Sequence, residues 1–373
     1  MVKLRKYNTA AIIATFVFML EKKTILVAPL HWGLGHATRC IPIIRALLAH
    51  NFNVLLASDG PALLLLQKEF PKLETIELPS YNIKYPKNGS HFKWKIFLKI
   101  PQIKKTIAAE KNIVKQLVTA GKIHGIISDN RFGIRNKAVP SVFITHQLNV
   151  LTGSTTAFTS RAHQNIIQKF DACWVPDLQD SLLNLSGKLG HLQREKFPIT
   201  YINVLSRMKK KEIPITTDIL VLLSGPEPQR TILEEILKDS LKNIKKSVLM
   251  VRGKVEKEQK WEDFKNIKTV NFMASEELEN AINASEIVIS RSGYTTIMDL
   301  TVLEKKAFFI PTPGQYEQEY LAKRLKNLGV VPSCQQEKFN LKKLDKIKVY
   351  KGLKALAHET VNFSELFALF ESE

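Results

Sequence analysis

The chain reads as an α/β protein built from two consecutive Rossmann-like domains that face each other across a cleft. From Lys23 onward apolar strands alternate with helical patterns, the signature of a parallel sheet covered on both faces. The alternation breaks once, near residues 205–218, in a charged, proline-containing stretch that suits a linker, and then starts again. Length agrees, since 373 residues divide naturally into two domains of roughly 150 to 200 residues.

The segment Met1 to Lys6 is basic and precedes an apolar run over residues 9–20. That run is shorter than the roughly 20 residues a membrane span requires, and it passes into Glu21-Lys22-Lys23 without a small-residue cleavage site. Residues 1–22 are therefore expected to be an extension outside the fold, with Met19 as an alternative start and a weak membrane anchor as the other reading. A first domain over 23–207 opens with a strand at 24–28, a helix at about 36–50 and a strand at 53–58. Strands at 125–128, 141–145 and 171–175 continue it. A linker over 208–217 leads to a second domain over 218–348, with strands at 219–223, 247–251, 286–290 and 307–310 and helices at about 231–241 and 275–284. The remaining 349–373 is a helical tail able to cross back onto the first domain.

Ligands of such sheets bind beyond the carboxyl ends of the strands, so the loops there are the candidate site. After the first strand comes His31-Trp32-Gly33-Leu34-Gly35-His36, where Gly33 and Gly35 allow a tight turn and His36 opens a helix. A helix N-terminus disfavours the cationic imidazole, which keeps His36 available as a base. Asp129, in Ser128-Asp129-Asn130-Arg131, and His146, in Thr145-His146-Gln147, follow later strands; Asp129 is placed to orient His36 or to meet a substrate, and His146 to contact that substrate. His31 and Trp32 can line the same mouth, and Cys40 reads as a small buried apolar residue.

In the second domain, Ile289-Ser290-Arg291-Ser292-Gly293 ends a strand and starts a helix, so unpaired N–H groups and the helix dipole form a seat for phosphate. Asp299, one turn further, can accept hydrogen bonds from ribose hydroxyls, and Glu317 and Gln318 after the next strand can do so from a sugar. A nucleotide-sugar is the ligand these parts suit.

Glycine loop, histidine, Arg-Ser-Gly and Glu-Gln occur in the order of a GT-B glycosyltransferase, and the chain resembles family 28 from about Lys23 to Gly329. The resemblance implies an inverting transfer from a nucleotide diphosphate sugar, usually a UDP-sugar, without an essential metal or other cofactor. It makes His36 the base that deprotonates the acceptor hydroxyl and places the acceptor on the first domain, beside Gly33, Gly35 and His146. Arg291, Ser292 and Gly293 become donor-side residues, Asp299 the ribose acid, and Gln318, preceded by Glu317, the reader of sugar hydroxyls. Ser224 and Gly225 fall where a glycine-serine loop approaches the diphosphate, although two prolines follow and remove N–H donors. The first loop also departs from the glycine-richer family form, so the acceptor does not transfer with the fold. No Asp-x-Asp motif is present. A UDP-sugar 2-epimerase or hydrolase of the same fold, or a non-catalytic nucleotide-sugar-binding protein, are the rival readings.

The formal charge of +20 points to a polyanionic partner. No nucleic-acid recognition motif accompanies it, so an anionic membrane surface ranks first and nucleic acid is not expected. Residues 82–122 hold ten lysines against the single acid Glu110, interleaved with Tyr85, Phe92, Trp94 and Phe97, which suits lipid headgroups on the acceptor domain. Three widely spaced cysteines suit a reducing cytoplasm, with peripheral attachment at the inner membrane face and a lipid or cell-envelope glycan as acceptor.

Overall fold

The computed structural model describes residues 22–81, 100–179, 184–356 and 359–371. The N-terminal extension before Lys22 and the aromatic part of the basic region, residues 82–99, lie outside the described residues.

The first half contains β1 (Thr24–Pro29), α1 (Gly35–Ala49), β2 (Asn53–Ser58), α2 (Gly60–Glu69), β3 (Thr75–Glu77), α3 (Ile100–Thr119), β4 (Gly125–Asp129), β5 (Ser141–Ile144), α4 (Thr156–Ile167), β6 (Ala172–Val175) and β7 (Ile199–Tyr201). Its strands form a parallel seven-stranded sheet in the order β3-β2-β1-β4-β5-β6-β7. The second half contains β8 (Thr217–Leu222), α5 (Gln229–Leu241), β9 (Val248–Val251), β10 (Trp261–Phe264), β11 (Ile267–Val270), α6 (Ser275–Asn283), β12 (Ser285–Ser290), α7 (Tyr294–Val302), β13 (Lys306–Phe309) and α8 (Tyr316–Asn327). Its six strands run β10-β11-β9-β8-β12-β13, parallel except for β10 against β11.

The central strands β1, β4 and β12 are mostly apolar and mostly buried, as a sheet covered on both faces requires. Of the four strands that sequence reading missed, β11 is buried at every residue but Lys268, and the other three lack that signal. β3 and β7 are three-residue edge strands, and every residue of β10 is exposed. Strand order reverses between β1 and β4 in the first sheet and between β8 and β12 in the second. A crevice forms at each such switch point, so the first gathers the loop 30–34 and Asp129, and the second gathers Ser224, Gly225 and Arg291 to Gly293.

The last described helix, α9 (Phe363–Glu371), returns to the first sheet. Phe367 and Phe370 are buried against Phe52 and Trp174, and Lys23 Nζ donates to the carbonyls of Phe370 at 3.0 Å and Glu371 at 3.2 Å. That cation sits at the negative end of the helix dipole. Gly125 admits the ring, since a Cβ there would lie 2.5 Å from Phe370 Cδ1. Truncating Phe367 to alanine removes a fully buried ring, so Phe367→Ala is expected to cost about 3–5 kcal/mol in urea unfolding followed by tryptophan fluorescence. A loss below about 1 kcal/mol would mean that α9 is not docked on the first sheet.

Candidate functional site

The register of the first sheet pairs Pro29 with Asp129, so the glycine loop leaves β1 beside the end of β4. Gly33 has φ +82°, a conformation that favours glycine, and α1 begins at Gly35. One turn of α1 then presents His36 and Arg39 to Asp129, a carboxylate with no solvent exposure.

Asp129 Oδ1 lies 2.8 Å from His36 Nδ1, and both Asp129 oxygens accept hydrogen bonds from Arg39, through Nε and Nη2. Burial alone would raise the Asp129 pKa, but the Arg39 and His36 charges and hydrogen bonds hold it far below the ordinary carboxylate range. A permanently ionised Asp129 can only accept, so the proton between it and His36 belongs on Nδ1, which leaves a lone pair on Nε2. Arg39 Nη2 also lies 2.8 Å from His36 Nδ1, a contact that becomes a hydrogen bond only in the opposite tautomer, where Nε2 is protonated. Cys40 is buried beside Asp129 with its thiol pKa pushed well up by burial, in keeping with an inert apolar role.

Arg39 Nη1 donates to His146 Nδ1 at 2.7 Å, so His146 Nε2 carries the hydrogen and points it at Glu317 Oε1, 2.7 Å away on α8. Gln147 Nε2 donates to the other Glu317 oxygen. Burial keeps His146 neutral against the pull of Glu317, whereas Glu317 is held charged by His146, His36 and Arg39 against its own burial. The His146 ring stacks on Tyr294 at 4.3 Å and 2°, and Tyr294 Oη donates to the Pro176 carbonyl at 2.8 Å. Tyr294 opens α7, so the second half inserts an aromatic ring into the first.

The second crevice is built around α7. Gly293 is its N-cap, without a side-chain cap, and a Cβ there would meet only Thr296 Oγ1, at 3.9 Å. The first-turn N–H groups therefore lack helical acceptors in open surroundings. Thr295 Oγ1 donates to the Gly35 carbonyl at 3.1 Å, which joins this helix start to the glycine loop of the first sheet. Gly225 has φ +98°, and Thr312 Oγ1 would lie 3.6 Å from a Cβ at that position. Gln318 Oε1 accepts from Thr312 N at 2.8 Å, which fixes its amide with Nε2 left to donate.

Several side chains differ from their sequence expectation. Arg291 does not face a ligand: its Nη1 donates to the carbonyls of Ile310 and Pro311, and its Nη2 to the Gln229 carbonyl and Gln336 Oε1. Burial, only partly offset by Glu337, brings its pKa down to about 9. Ser292 Oγ donates to the Gln318 carbonyl at 2.8 Å, so this pair ties the loops together and leaves the seat to backbone N–H groups. Asp299 accepts from Ser206 Oγ at 2.6 Å and its pKa is raised by burial despite Arg207, rather than the carboxyl standing open to a ribose. His146 has both ring nitrogens occupied and is the joint between the halves rather than a free acceptor contact. Glu317 is held by the first half in the same way. Arg39 and Tyr294 were missed, because a lone arginine and a tyrosine inside helical patterns read as ordinary residues. The spacing of Arg39 one turn after His36 was the available signal. Among the described residues, no group of three or more His, Cys, Asp or Glu is placed to hold a metal ion.

Residues 220–360 match the glycosyltransferase family 28 C-terminal domain. A UDP-N-acetylglucosamine–N-acetylmuramyl-(pentapeptide) pyrophosphoryl-undecaprenol N-acetylglucosamine transferase of Buchnera aphidicola subsp. Schizaphis graminum is 28% identical over 211 residues, 55% of this chain and 56% of that protein. The match thus spans little more than half of that relative's length. The enzyme of the same name from Gloeothece citriformis is 20% identical over 319 residues, 84% of this chain and 83% of its own. Among solved structures, Phytolacca americana UGT2 complexed with UDP-2fluoro-glucose and pterostilbene gives a TM-score of 0.57 at 13% identity, covering 88% of this chain and 89% of that one. Acinetobacter baumannii MurG gives 0.50 at 14% identity over 88% and 92%. These structural likenesses show the fold, two parallel-sheet α/β domains of the GT-B type.

Replacing Asp129 by asparagine leaves Arg39 buried without its counter-charge, so Asp129→Asn is expected to lose about 3–5 kcal/mol at pH 7 by urea unfolding. The depressed Asp129 pKa contributes stability above the ordinary value near pH 4, and this contribution is lost as pH falls below it. The wild-type acid-unfolding profile should therefore be steeper than that of the variant, and parallel profiles would contradict the assignment.

Proposed function

Residues 220–360 belong to glycosyltransferase family 28, and from that premise we propose that the protein is an inverting glycosyltransferase that moves a hexose from a UDP-sugar to a hydroxyl acceptor. The observation that carries the proposal is the His36–Asp129 pair, 2.8 Å apart, facing the uncapped start of α7 where Thr295 meets Gly35. In this reading His36 Nε2 takes the proton of the acceptor hydroxyl, and the acceptor oxygen attacks the anomeric carbon from the side opposite the diphosphate. The anomeric C–O bond breaks, and its electron pair leaves with the nucleoside diphosphate. The N–H groups after Gly293 and the turn at Ser224 and Gly225 stabilise that departing charge. Arg291 and Ser292 hold the loop in shape, and Gln318 Nε2 donates to a sugar hydroxyl. Asp299 and Glu317 serve the donor when they exchange Ser206 and His146 for its hydroxyls.

The donor assignment draws on the UDP-sugar named in the curated relatives and on the UDP-2fluoro-glucose of the plant structure. The acceptor is proposed to be lipid-linked, at the cytoplasmic face of a membrane. The relatives' names carry a pyrophosphoryl-undecaprenol acceptor, and the +20 charge favours an anionic surface. No helix among the described residues is long and apolar enough to cross a membrane.

Thermal-shift titration with UDP, GDP, dTDP and ADP tests the donor; stabilisation of roughly 2.7 kcal/mol is expected for UDP at about 100 times its dissociation constant. With a UDP-sugar and lipid-linked acceptors, His36→Ala is expected to lower kcat by about 10²–10⁴-fold while UDP still binds. Consumption of the donor at an equal rate without acceptor would point to the epimerase or hydrolase instead. Gln318→Ala removes one donated hydrogen bond and should raise the donor KM by about tenfold with UDP affinity unchanged. An unaltered KM would remove Gln318 from the sugar site.

A further inference from the structure

Thr312, in the loop after β13, carries a hydroxyl that the fold does not use. The residue is 1% exposed, and among the described residues its Oγ1 is a buried oxygen without a hydrogen-bond partner. Its backbone, by contrast, is engaged: the N–H donates to Gln318 Oε1 at 2.8 Å, and the carbonyl accepts from Gln315 N at 3.1 Å. A buried hydroxyl left unpaired lowers stability, whereas a methyl in its place would not. Valine has the same shape and would serve the free fold better, so the hydroxyl calls for a partner that the chain does not supply.

The surroundings show where that partner belongs. A Cβ at Gly225 would meet Thr312 Oγ1 at 3.6 Å and, beyond its chain neighbours, no other atom within 4 Å. Glycine thus leaves an opening that this oxygen bounds. Gly225 follows β8 and Thr312 follows β13, the strands on either side of β12, so the two meet over the phosphate seat at Arg291 to Gly293. Arg291 sets their spacing, because its Nη1 holds the carbonyls of Ile310 and Pro311 while its Nη2 holds that of Gln229 at the start of α5. Pro226 and Pro228 take two N–H groups out of the turn after Gly225. A hydroxyl directed at the same opening makes up one of the missing donors.

We infer that Thr312 Oγ1 donates a hydrogen bond to a β-phosphate oxygen of the nucleotide-sugar. The inference rests on the transferase reading above and adds a residue to its leaving-group site. The β-phosphate is the group that lies between the turn at Gly225 and the sugar read by Gln318, and Gln318 is itself bonded to Thr312. When the anomeric C–O bond breaks, the electron pair passes to the β-phosphate, and a hydroxyl already fixed beside it stabilises that charge without rearrangement. The absent side chain at Gly225 is what admits an oxygen to this otherwise enclosed hydroxyl.

The test is calorimetric titration of full-length protein with UDP and with UMP, beside thermal unfolding of the free protein. Thr312→Val keeps the shape and removes the hydroxyl, so it is expected to bind UDP about tenfold more weakly with UMP affinity unchanged. Free Thr312→Val should melt no lower than the wild type, since the lost hydroxyl had no partner. Thr312→Ser, which keeps the hydroxyl, should retain most of the UDP affinity. Equal UDP binding by the wild type and Thr312→Val would overturn the inference. Parallel losses for UDP and UMP would do the same, because they place the effect away from the β-phosphate, as would a melting temperature well below that of the wild type, which would give the hydroxyl a structural partner. A loss seen with UDP-N-acetylglucosamine but not with UDP would move the contact to the sugar and overturn it as well. If the wild type binds neither UDP nor GDP, dTDP or ADP, the transferase reading falls and this assignment with it; UDP binding that Thr312→Val leaves unchanged removes Thr312 alone.

Discussion

A buried carboxylate at the end of β4 is the constraint around which the site is arranged. Asp129 has no solvent to hold its charge, and an unpaired carboxylate in such a place would neutralise itself by taking up a proton. Arg39 prevents this by meeting both oxygens, and His36 completes the shell. Each partner acquires a fixed geometry in return. His36 is held with one nitrogen against the acid and the other outward, and Arg39 is held with its Nη1 directed at His146. A solvated aspartate would do neither, because mobile water would satisfy it in many arrangements. The same charge that makes the ion pair costly to break therefore orients the imidazole.

From that pair the connection runs out of the first sheet. Arg39 fixes the tautomer of His146, whose remaining N–H is directed at Glu317 of α8, and Tyr294 of α7 stacks on the other side of the same ring. Closure of the two halves is thus specified by a neutral histidine bonded on both nitrogens. The segment after β7 adds a second attachment, with Ser206 on Asp299 and Arg207 on Ser275, and Glu69 of α2 accepts the Ser275 N–H at the start of α6 at 2.7 Å. Acids from one half cap or pair with groups of the other at well-separated points, which suits two bodies that meet in one defined orientation.

The fold was legible because both sheets are buried on both faces, so their strands are long apolar runs and the helices between them are amphipathic. His36 and Asp129 were legible for a related reason: polar residues that interrupt such runs at strand ends must face the crevice. Arg39 escaped because its partner lies 90 positions away, and only the pairing of β1 with β4 brings them together. Arg291 shows the opposite case. A cation in a phosphate-seat motif reads as an anion contact, yet four acceptors around it, three of them backbone carbonyls from distant segments, use its donors internally. Sequence spacing gives the end of a strand on which a residue sits, but not which of two distant acceptors its side chain reaches.

The groups proposed for the donor and the groups that join the halves are in part the same, and this bears on specificity. Glu317 and Asp299 are not left as unsatisfied buried acceptors when no ligand is present, since His146, Gln147 and Ser206 supply their hydrogen bonds. A sugar or ribose hydroxyl that takes over such a carboxylate exchanges one hydrogen bond for another, so little net affinity is gained per bond. A ligand lacking that hydroxyl leaves the internal pair in place, so it forgoes only this small net gain and strands no carboxylate. Discrimination between donors then falls to groups without an internal partner to return to, such as the first-turn N–H groups of α7, which a ligand must satisfy itself.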